Sequence, residues 1–421
     1  MVFVLLLLLG MPIAFSIGIA GFVFFLLQGA LPLTMPVQLV LSETQNFALL
    51  AIPMFVFAGN LMNETGITGR LMRFASVVTG HMYGGLAQVS VVLSTLMGGV
   101  SGSAIADSSM EARILGPEMT RRGYARGYSA AIHGFTALIT IAIPPSIGLV
   151  LYGSIGEVSI GRLFAGGIGP GLVMAGLLML AVAITARRKG YRPERAARAS
   201  LRQVGSAFLG SIWAILFPVL LLIALRFGIL VPSEAGAAAA VYAVAIGVLA
   251  HREMTWQKLR KALRQSVQDI GMIMLLIAMS ALVSYAMKWQ MIPQALSQFL
   301  VGLSGSPQVT VAMVLLALFI LGTVMDSTVM ILLLTSILVP VMKQLGVDLV
   351  YFGVIMVITC AVGLLTPPVG VAMYSVCSIM GCSVEEYLRE GWPFLLAVVV
   401  ALTLSVLFPG IVNFIPRLLF G

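Results

Sequence analysis

Charged residues are scarce in this chain of 421 residues. Asp, Glu, Lys and Arg make up 9% of the sequence, whereas 60% of the residues are apolar and the mean hydropathy is +1.08. Soluble domains carry about 25% charged residues. This shortage of charge excludes a set of soluble domains, and it predicts an all-α polytopic membrane protein.

Residues that carry most enzyme chemistry are also few. The cysteines Cys360, Cys377 and Cys382 form no CxxC pair and have no histidine nearby, so we interpret them as packing residues. His133 stands alone in an apolar stretch and is interpreted as a hydrogen-bonded packing residue. Neither DDxxD nor HExxH occurs, which argues against a membrane-embedded transferase. We therefore predict that the protein is not an enzyme.

Apolar stretches long enough to cross a hydrocarbon core of roughly 30 Å recur along the chain, some of them extended by their neighbours. They are residues 3–27, 47–62, 172–186, 208–225, 237–250, 270–287 and 393–408. The first stretch lacks the features of a cleaved signal peptide and is interpreted as a retained membrane helix.

The surplus of positive charge indicates topology. The 24 Lys and Arg residues exceed the 15 Asp and Glu residues and cluster in 187–202 and 252–264. Cytoplasmic loops of membrane proteins carry such an excess, so both loops are predicted to be cytoplasmic, with the amino terminus inside and the carboxyl terminus outside. We predict no nucleic-acid partner.

Two regions do not resemble ordinary spans. Residues 86–117 and 309–342 each consist of apolar limbs, about 13 residues long in the first region, on either side of a polar tip, GGVSGSAIAD and GTVMDST respectively. A limb of that length reaches roughly 20 Å and cannot cross the bilayer. The pattern is typical of re-entrant hairpins, and the alternative is two full spans joined by a solvated turn.

The two hairpins belong to an internal repeat with an offset of 223 residues. Gly99 then coincides with Gly322, Pro117 with Pro340, and the pair Pro144-Pro145 with 367–368. The predicted topology places Arg121 inside and Lys343 outside, which makes the repeat inverted. The predicted division is an N-terminal scaffold helix (1–47), a first repeat (48–170) with a broken helix at 131–154, scaffold helices and basic loops (171–265), a second repeat (266–392) with a broken helix at 351–380, and a C-terminal helix (393–421).

Inverted repeats with broken helices predict a secondary transporter whose site lies near the bilayer midplane. Each double proline removes amide donors and frees carbonyl oxygens, which suit a hard cation such as Na⁺, while the ends of half-helices suit an anion. The predicted cation-binding residues are Ser101, Gly102, Ser103, Pro144, Ser146, Gly322, Met325, Asp326, Thr366 and Pro367. The predicted substrate-binding residues are Ser103, Asp107, Pro145, Ser327, Thr328 and Pro368.

Several of these residues have a simpler interpretation. The serines and threonines at the tips are also suited to cap the second limb of each hairpin, and Asp107 and Asp326 are equally suited to that role. Glu111 follows Asp107 by one helical turn. Arg113 is interpreted as an anchor at the headgroup level, with attraction of a carboxylate as the alternative.

The motifs SGSAIADSS, LGTVMDSTVMILLLTSILVPV, LLTPPVGVAMY and LLLLLGMPIAF resemble the large membrane subunit, or M component, of tripartite ATP-independent periplasmic (TRAP) transporters over essentially the whole chain. The resemblance implies an elevator mechanism in a bacterial inner membrane, driven by about two Na⁺ ions. It also implies an organic acid substrate such as a dicarboxylate or sialic acid, a periplasmic binding protein (P subunit), and a separate four-helix Q subunit.

By the same resemblance, the Na⁺ sites are expected at the tips and breaks. The expected residues are Ser101, Gly102, Ser103 and Ser146 in the first half and Met325, Asp326, Thr366 and Pro367 in the second. The alternative is a binding-protein-independent Na⁺/carboxylate symporter of the divalent-anion type, which has a similar inverted-hairpin design. A passive channel is a further alternative, but the sequence shows no polar rings for a selectivity filter.

Overall fold

The computed structural model describes residues 2–45, 47–195, 197–303, 306–368 and 370–421, and these residues form helices and no strand. The helices from the amino end of the chain through the first broken helix are α1 (Val2–Leu8), α2 (Ile13–Leu27), α3 (Met35–Thr44), α4 (Ala51–Glu64), α5 (Ile67–Thr79), α6 (Gly85–Met97), α7 (Ala104–Arg121), α8 (Arg126–Thr136), α9 (Leu138–Ala142) and α10 (Ile147–Ile155).

Several longer helices follow, and the second half then repeats the order of shorter helices. The helices of this part are α11 (Ile160–Lys189), α12 (Leu201–Arg226), α13 (Pro232–Ala245), α14 (Trp256–Trp289), α15 (Ile292–Leu303), α16 (Pro307–Gly322), α17 (Ser327–Gln344), α18 (Leu349–Val362), α19 (Val371–Met380), α20 (Val384–Leu407) and α21 (Gly410–Phe420). A π-helical turn, Ile246–Ala250, extends α13, and a 3₁₀ turn, Gly363–Leu365, extends α18.

Six helices in the described part of the chain are long and apolar enough to cross a membrane: α11, α12, α13 with its π turn, α14, α17 and α20. The bent pair formed by α8–α9 and α10 meets the same criterion as a broken span, with a bend of 41°. The spans predicted between residues 172 and 287 lie within the first four of these helices. The prediction of an all-α polytopic membrane protein is confirmed.

Both ends of the chain differ from the prediction. The expected single helix at 3–27 is divided into α1 and α2 at Gly10, Met11 and Pro12, because Pro12 has no amide to continue the helical hydrogen bonds. The predicted scaffold segment 1–47 also contains α3. The C-terminal helix, expected from residue 393, begins at Val384 behind a capping box of Ser383 and ends at Leu407, before the separate helix α21.

The hairpin limbs are longer than predicted. The first limb of hairpin 1, α6, has the expected 13 residues, but α16 has 16 and both second limbs, α7 and α17, have 18. Helix α7 continues beyond Pro117 for another turn that carries ion pairs of Glu118 with Arg121 and Arg122. Hairpin 2 likewise ends at Gln344 and not at 342. The broken helices extend over 126–155 and 349–380, slightly beyond the predicted 131–154 and 351–380.

Helix boundaries recur at the offset of 223 residues. Both ends of α7 are matched by the ends of α17, and the segment α8–α9 is matched by α18 with its 3₁₀ turn. The two Pro-Pro peptide bonds, Pro144-Pro145 and Pro367-Pro368, are both cis.

The two hairpins open at opposite ends of α11, which is about 45 Å long. Tyr191, just beyond the end of α11, accepts the amide of Ala125 between α7 and α8 at 3.1 Å. The corresponding start of α18 instead packs against the beginning of α11, where a side chain on Gly166 would contact Val350 and Val354. The broken helices form the centre of the core, since nearly all residues of α8 and α18 are buried.

Candidate substrate and cation site

The tip of hairpin 1 lies directly on the break between α9 and α10. Gly102 adopts a left-handed backbone conformation, with φ of +64°, and a Cβ there would overlap the carbonyl oxygen of Pro145. Ser103 caps α7, because its hydroxyl accepts the amide of Ala106 at 3.5 Å, and Ser101 accepts the amide of Ser103 at 3.3 Å. Only glycine therefore fits between the tip and the broken helix.

The tip of hairpin 2 approaches its own broken helix in a similar way. The backbones of Gly322 and Gly363 are so close that a Cβ on Gly363 would overlap Gly322. Asp326 caps α17, with its Oδ1 accepting the amide of Thr328 at 2.8 Å. In each half of the chain, glycine thus brings a hairpin tip against a helix break.

At each of the two breaks, a side-chain hydroxyl lies against a helix end that the proline pair interrupts. Pro144 and Pro145 provide no amide hydrogen, and the hydroxyl of buried Ser146 caps α10 by accepting the amide of Leu149 at 3.4 Å. In the second half, the Thr366 hydroxyl lies 3.4 Å and 3.3 Å from the carbonyl oxygens of Val362 and Gly363. Of the serines and threonines at the tips, Ser103 has the expected capping role, whereas in the second half Asp326 caps α17 and Ser327 and Thr328 do not.

A cavity of about 130 Å³ lies between the two tips. Gly102 and Ser103 of hairpin 1 line it together with Asp326, Ser327 and Thr328 of hairpin 2. Its remaining walls are largely apolar and come from both broken helices, from α14 and from α17; they include Ile141, Ile147, Ile273, Ile331, Val357 and Leu364. The fold thus brings residues that are more than 200 positions apart to one cavity.

Three helices begin at this cavity. Ala104, Ile147 and Ser327 line it, and they are the first residues of α7, α10 and α17. The amino end of a helix carries unpaired amides and a partial positive charge, which together favour an anion. The lining contains no Lys, Arg or His, so a bound carboxylate would be held by amides and hydroxyls.

The other predicted site residues do not line the cavity. Ser101, Asp107, Pro144, Pro145 and Ser146 lie behind the tip of hairpin 1. In the second half, the residues that remain outside the lining are Gly322, Met325, Thr366, Pro367 and Pro368. The predicted residues are therefore divided between a central cavity and two polar regions behind it, one in each half.

Asp107 is the most unusual of them. It is fully buried, and neither of its carboxylate oxygens has a hydrogen-bond partner in the described part of the chain. The hydroxyls of Ser101 and Thr140 face this carboxylate without closing a hydrogen bond. The capping interpretation describes Asp326 but not Asp107, since Ser103 occupies the cap of α7. A buried carboxylate without donors is costly unless a cation compensates it.

One turn beyond Asp107, a buried polar cluster connects both limbs of hairpin 1 to α8. The Ser90 hydroxyl donates to Glu111 Oε2, the Ser94 hydroxyl donates to Oε1 at 2.6 Å, and the Thr136 hydroxyl lies 3.3 Å from Oε2. His133 Nδ1 is 3.0 Å from Ser90 Oγ. Because the single hydroxyl proton of Ser90 is donated to Glu111, His133 Nδ1 is the donor of this contact.

Glu111 and His133 lie 22 positions apart in the sequence, and no motif connects them. The feature of the sequence that indicates this cluster is a matching four-residue spacing of two polar pairs, Ser90 with Ser94 and Asp107 with Glu111. This spacing places one polar pair on one face of each hairpin limb. The expectation that His133 is hydrogen-bonded agrees with this cluster, although its Nε2 has no partner among the described residues.

Comparison with known proteins gives the family. Residues 1–411 match the family model described as the DctM component of the tripartite ATP-independent periplasmic transporter. The 2,3-diketo-L-gulonate TRAP transporter large permease protein YiaN of Escherichia coli is 32% identical over 404 residues, covering 96% of this chain and 95% of that protein. The sialic acid TRAP transporter large permease protein SiaM of Vibrio cholerae is 31% identical, with coverage of 98% and 96%.

The C4-dicarboxylate TRAP transporter large permease protein DctM of Rhodobacter capsulatus is 31% identical, with coverage of 98% of this chain and 97% of that protein. These matches confirm the resemblance seen in the motifs. They also confirm that the chain is not an enzyme, because the family consists of transporter permeases. The chain belongs to the DctM family, the large permease component of TRAP transporters.

Proposed function

We propose that the chain is the membrane subunit of a Na⁺-coupled importer of a small organic acid anion, working by an elevator mechanism in a bacterial inner membrane. A periplasmic binding protein delivers the anion, and a small Q subunit supports the scaffold. The observation that carries this proposal is the cavity that both hairpin tips line, at which three helices begin.

The anion binds in this cavity. Amides at the starts of α7, α10 and α17, with the hydroxyls of Ser103, Ser327 and Thr328, supply donors for a carboxylate. The relatives are named for 2,3-diketo-L-gulonate, sialic acid and C4-dicarboxylates, all of which carry carboxylates. We propose that Asp107, Pro145 and Pro368, predicted to bind substrate, act from behind the cavity on the positions of the tips.

The coupling cations bind behind the tips, one in each half. In the first half, the unpartnered carboxylate of Asp107 and the oxygen atoms of Ser101 and Ser146 would supply a Na⁺ site, since this cation takes oxygen ligands. In the second half, carbonyl oxygens near Gly322 and Thr366 and the cap residue Asp326 would supply the other. Occupancy of either site would hold a tip against its broken helix and complete the anion cavity.

Inversion of the repeat supports alternating access. The recurrence of helix boundaries after 223 residues, with hairpins opening at opposite ends of α11, is the arrangement that a duplicated and inverted unit would give. Each net charge moved across 100 mV supplies about 2.3 kcal/mol, or roughly 50-fold accumulation. With two Na⁺ ions, a monocarboxylate enters electrogenically and a dianion enters without net charge.

The test is uptake into proteoliposomes that contain this chain, its Q subunit and its binding protein. C4-dicarboxylates, 2,3-diketogulonate and sialic acid serve as candidate substrates. We expect uptake of one of them when Na⁺ is present outside, and loss of uptake when K⁺ replaces Na⁺ at equal ionic strength. Equal uptake in Na⁺ and K⁺ contradicts Na⁺ coupling, and equal uptake without the binding protein contradicts the tripartite assembly.

A further inference from the structure

A second cavity, of about 470 Å³, shares no lining residue with the site already described. It is formed by α5, by the loop between α11 and α12, and by the start of α12. Arg70 and Arg73 of α5 line it, together with Arg195 of the loop and Arg202 of α12. We call this space the arginine cavity. No acidic side chain belongs to its lining.

Only part of this charge is neutralised. Arg70 forms an ion pair with Glu253 at 2.7 Å, and Arg195 interacts electrostatically with the neighbouring Glu194. Arg73 and Arg202 make no ion pair or side-chain hydrogen bond with any residue that the structure describes. The two unpaired guanidinium groups of Arg73 and Arg202 face the same cavity and repel each other unless an anion lies between them. Because arginine binds phosphate through paired, charge-assisted hydrogen bonds, a phosphate group suits such a space.

The surroundings indicate where the phosphate comes from. Next to the cavity, α12 presents Leu209 with 68% and Trp213 with 40% of their surfaces exposed. Phe208 packs edge-on against Phe74 of α5, with ring centroids 5.9 Å apart, and lies between the two helices. An apolar helix face that continues from a cationic cavity accommodates a molecule with a charged head and hydrocarbon chains, and tryptophan is typical of the membrane interface.

The cavity also lies at the end of the bundle that carries the basic loops. Arg195 belongs to the segment 187–202, and Glu253, the partner of Arg70, belongs to the second basic segment. This is the end predicted to face the cytoplasm, where membranes expose anionic lipids.

We propose that the arginine cavity binds the phosphate of an anionic phospholipid of the cytoplasmic leaflet, with the acyl chains lying along the exposed face of α12. The Ser211 hydroxyl already joins α12 to the backbone of α5 by donating to the carbonyl of Arg70 at 2.9 Å. The lipid would add a second connection between these helices through Arg73 and Arg202. Residues of the anion site have no part in it.

The test is binding of phosphatidylglycerol to the purified full-length chain in a neutral detergent, measured by native mass spectrometry and by the shift in melting temperature. The variant is Arg73→Gln with Arg202→Gln. The control is Arg188→Gln with Arg198→Gln, which removes the same charge from exposed residues outside the cavity. An arginine beside an anionic headgroup contributes about fivefold to lipid binding, so we expect about 25-fold weaker binding for the first variant. We expect no change for the control, because its arginines lie outside the cavity.

Separate arms identify the ligand. Phosphatidylcholine and inorganic phosphate replace phosphatidylglycerol at equal concentration, and we expect neither to give the effect. Protection by inorganic phosphate equal to that of the lipid overturns the phospholipid as the source. Equal loss of binding in both variants overturns the arginine cavity as the site. A melting temperature of the first variant that equals wild type without lipid shows that the substitutions do not act by unfolding.

Discussion

Gly102 allows the closest test of the site geometry. In Gly102→Ala, the alanine must adopt a left-handed backbone conformation, which costs about 1 kcal/mol. Its methyl group must also avoid the carbonyl oxygen of Pro145. Because that oxygen belongs to the backbone of the break, no side chain can move away to relieve the overlap. The tip of hairpin 1 must then retreat by about 1 Å to restore van der Waals contact.

A displacement of about 1 Å at a binding site can reduce the rate on the order of 100-fold. The matched control is Gly123→Ala: Gly123 has φ of +81° but no atom within 4 Å of the position of a Cβ. It therefore carries the same conformational cost without the overlap. In the proteoliposome assay we expect Gly102→Ala to lose Na⁺-dependent uptake and Gly123→Ala to keep it. Equal uptake by the two variants, at equal expression, would refute the contact between tip and break.

Three further outcomes are expected. Asp326→Ala removes the cap of α17, at a cost of about 1 kcal/mol, and abolishes uptake while assembly persists. Asp326→Ser retains a cap and so separates a capping role from a cation-binding role. Wild-type uptake by the alanine variant would contradict a role of Asp326 in transport. Glu111→Gln places an amide against the Ser90 and Ser94 hydroxyls and lowers the free energy of unfolding by about 1.5–3 kcal/mol. The control Glu118→Gln, on the exposed end of α7, leaves the melting temperature unchanged. Equal melting temperatures of the two variants would contradict the buried cluster. Burial raises the pKa of Glu194 in the basic loop, so the folded state holds this proton to higher pH than the unfolded state does, and the residue's contribution to stability falls as pH rises above the unfolded pKa. Glu194→Gln should therefore melt at a higher temperature than wild type at pH 7 but not at pH 4. A higher melting temperature of the variant at pH 4 alone would contradict this sign.

The sequence was most informative where a local rule restricts the backbone. Double prolines cannot continue a helix, so the breaks at 144–145 and 367–368 follow directly from residue chemistry. The tips could be located because glycine and serine interrupt apolar limbs. At Gly10 and Pro12 the same kind of signal was present, but the surrounding leucines suggested one continuous helix.

Other features depend on contacts between distant segments. The extension of α7 beyond Pro117 and the exact composition of the cavity, including Ile273 of α14, are set by tertiary packing. The partners of Glu111 come from α6 and α8, so no single window of sequence contains the cluster. The arginine cavity likewise combines α5 with a loop more than 100 residues later. A charge count detects its arginines but not their convergence.

Labelling of single cysteines decides whether the two halves are inverted, as alternating access requires. In a background in which Cys382 is replaced by serine, so that only the buried Cys360 and Cys377 remain, Arg121→Cys and Lys343→Cys mark exposed positions at the open ends of the two hairpins. We expect a membrane-impermeant maleimide to label Lys343→Cys in intact spheroplasts and Arg121→Cys only after the membrane is opened. Labelling of both positions from the same side would contradict the inverted repeat and, with it, the alternating-access mechanism.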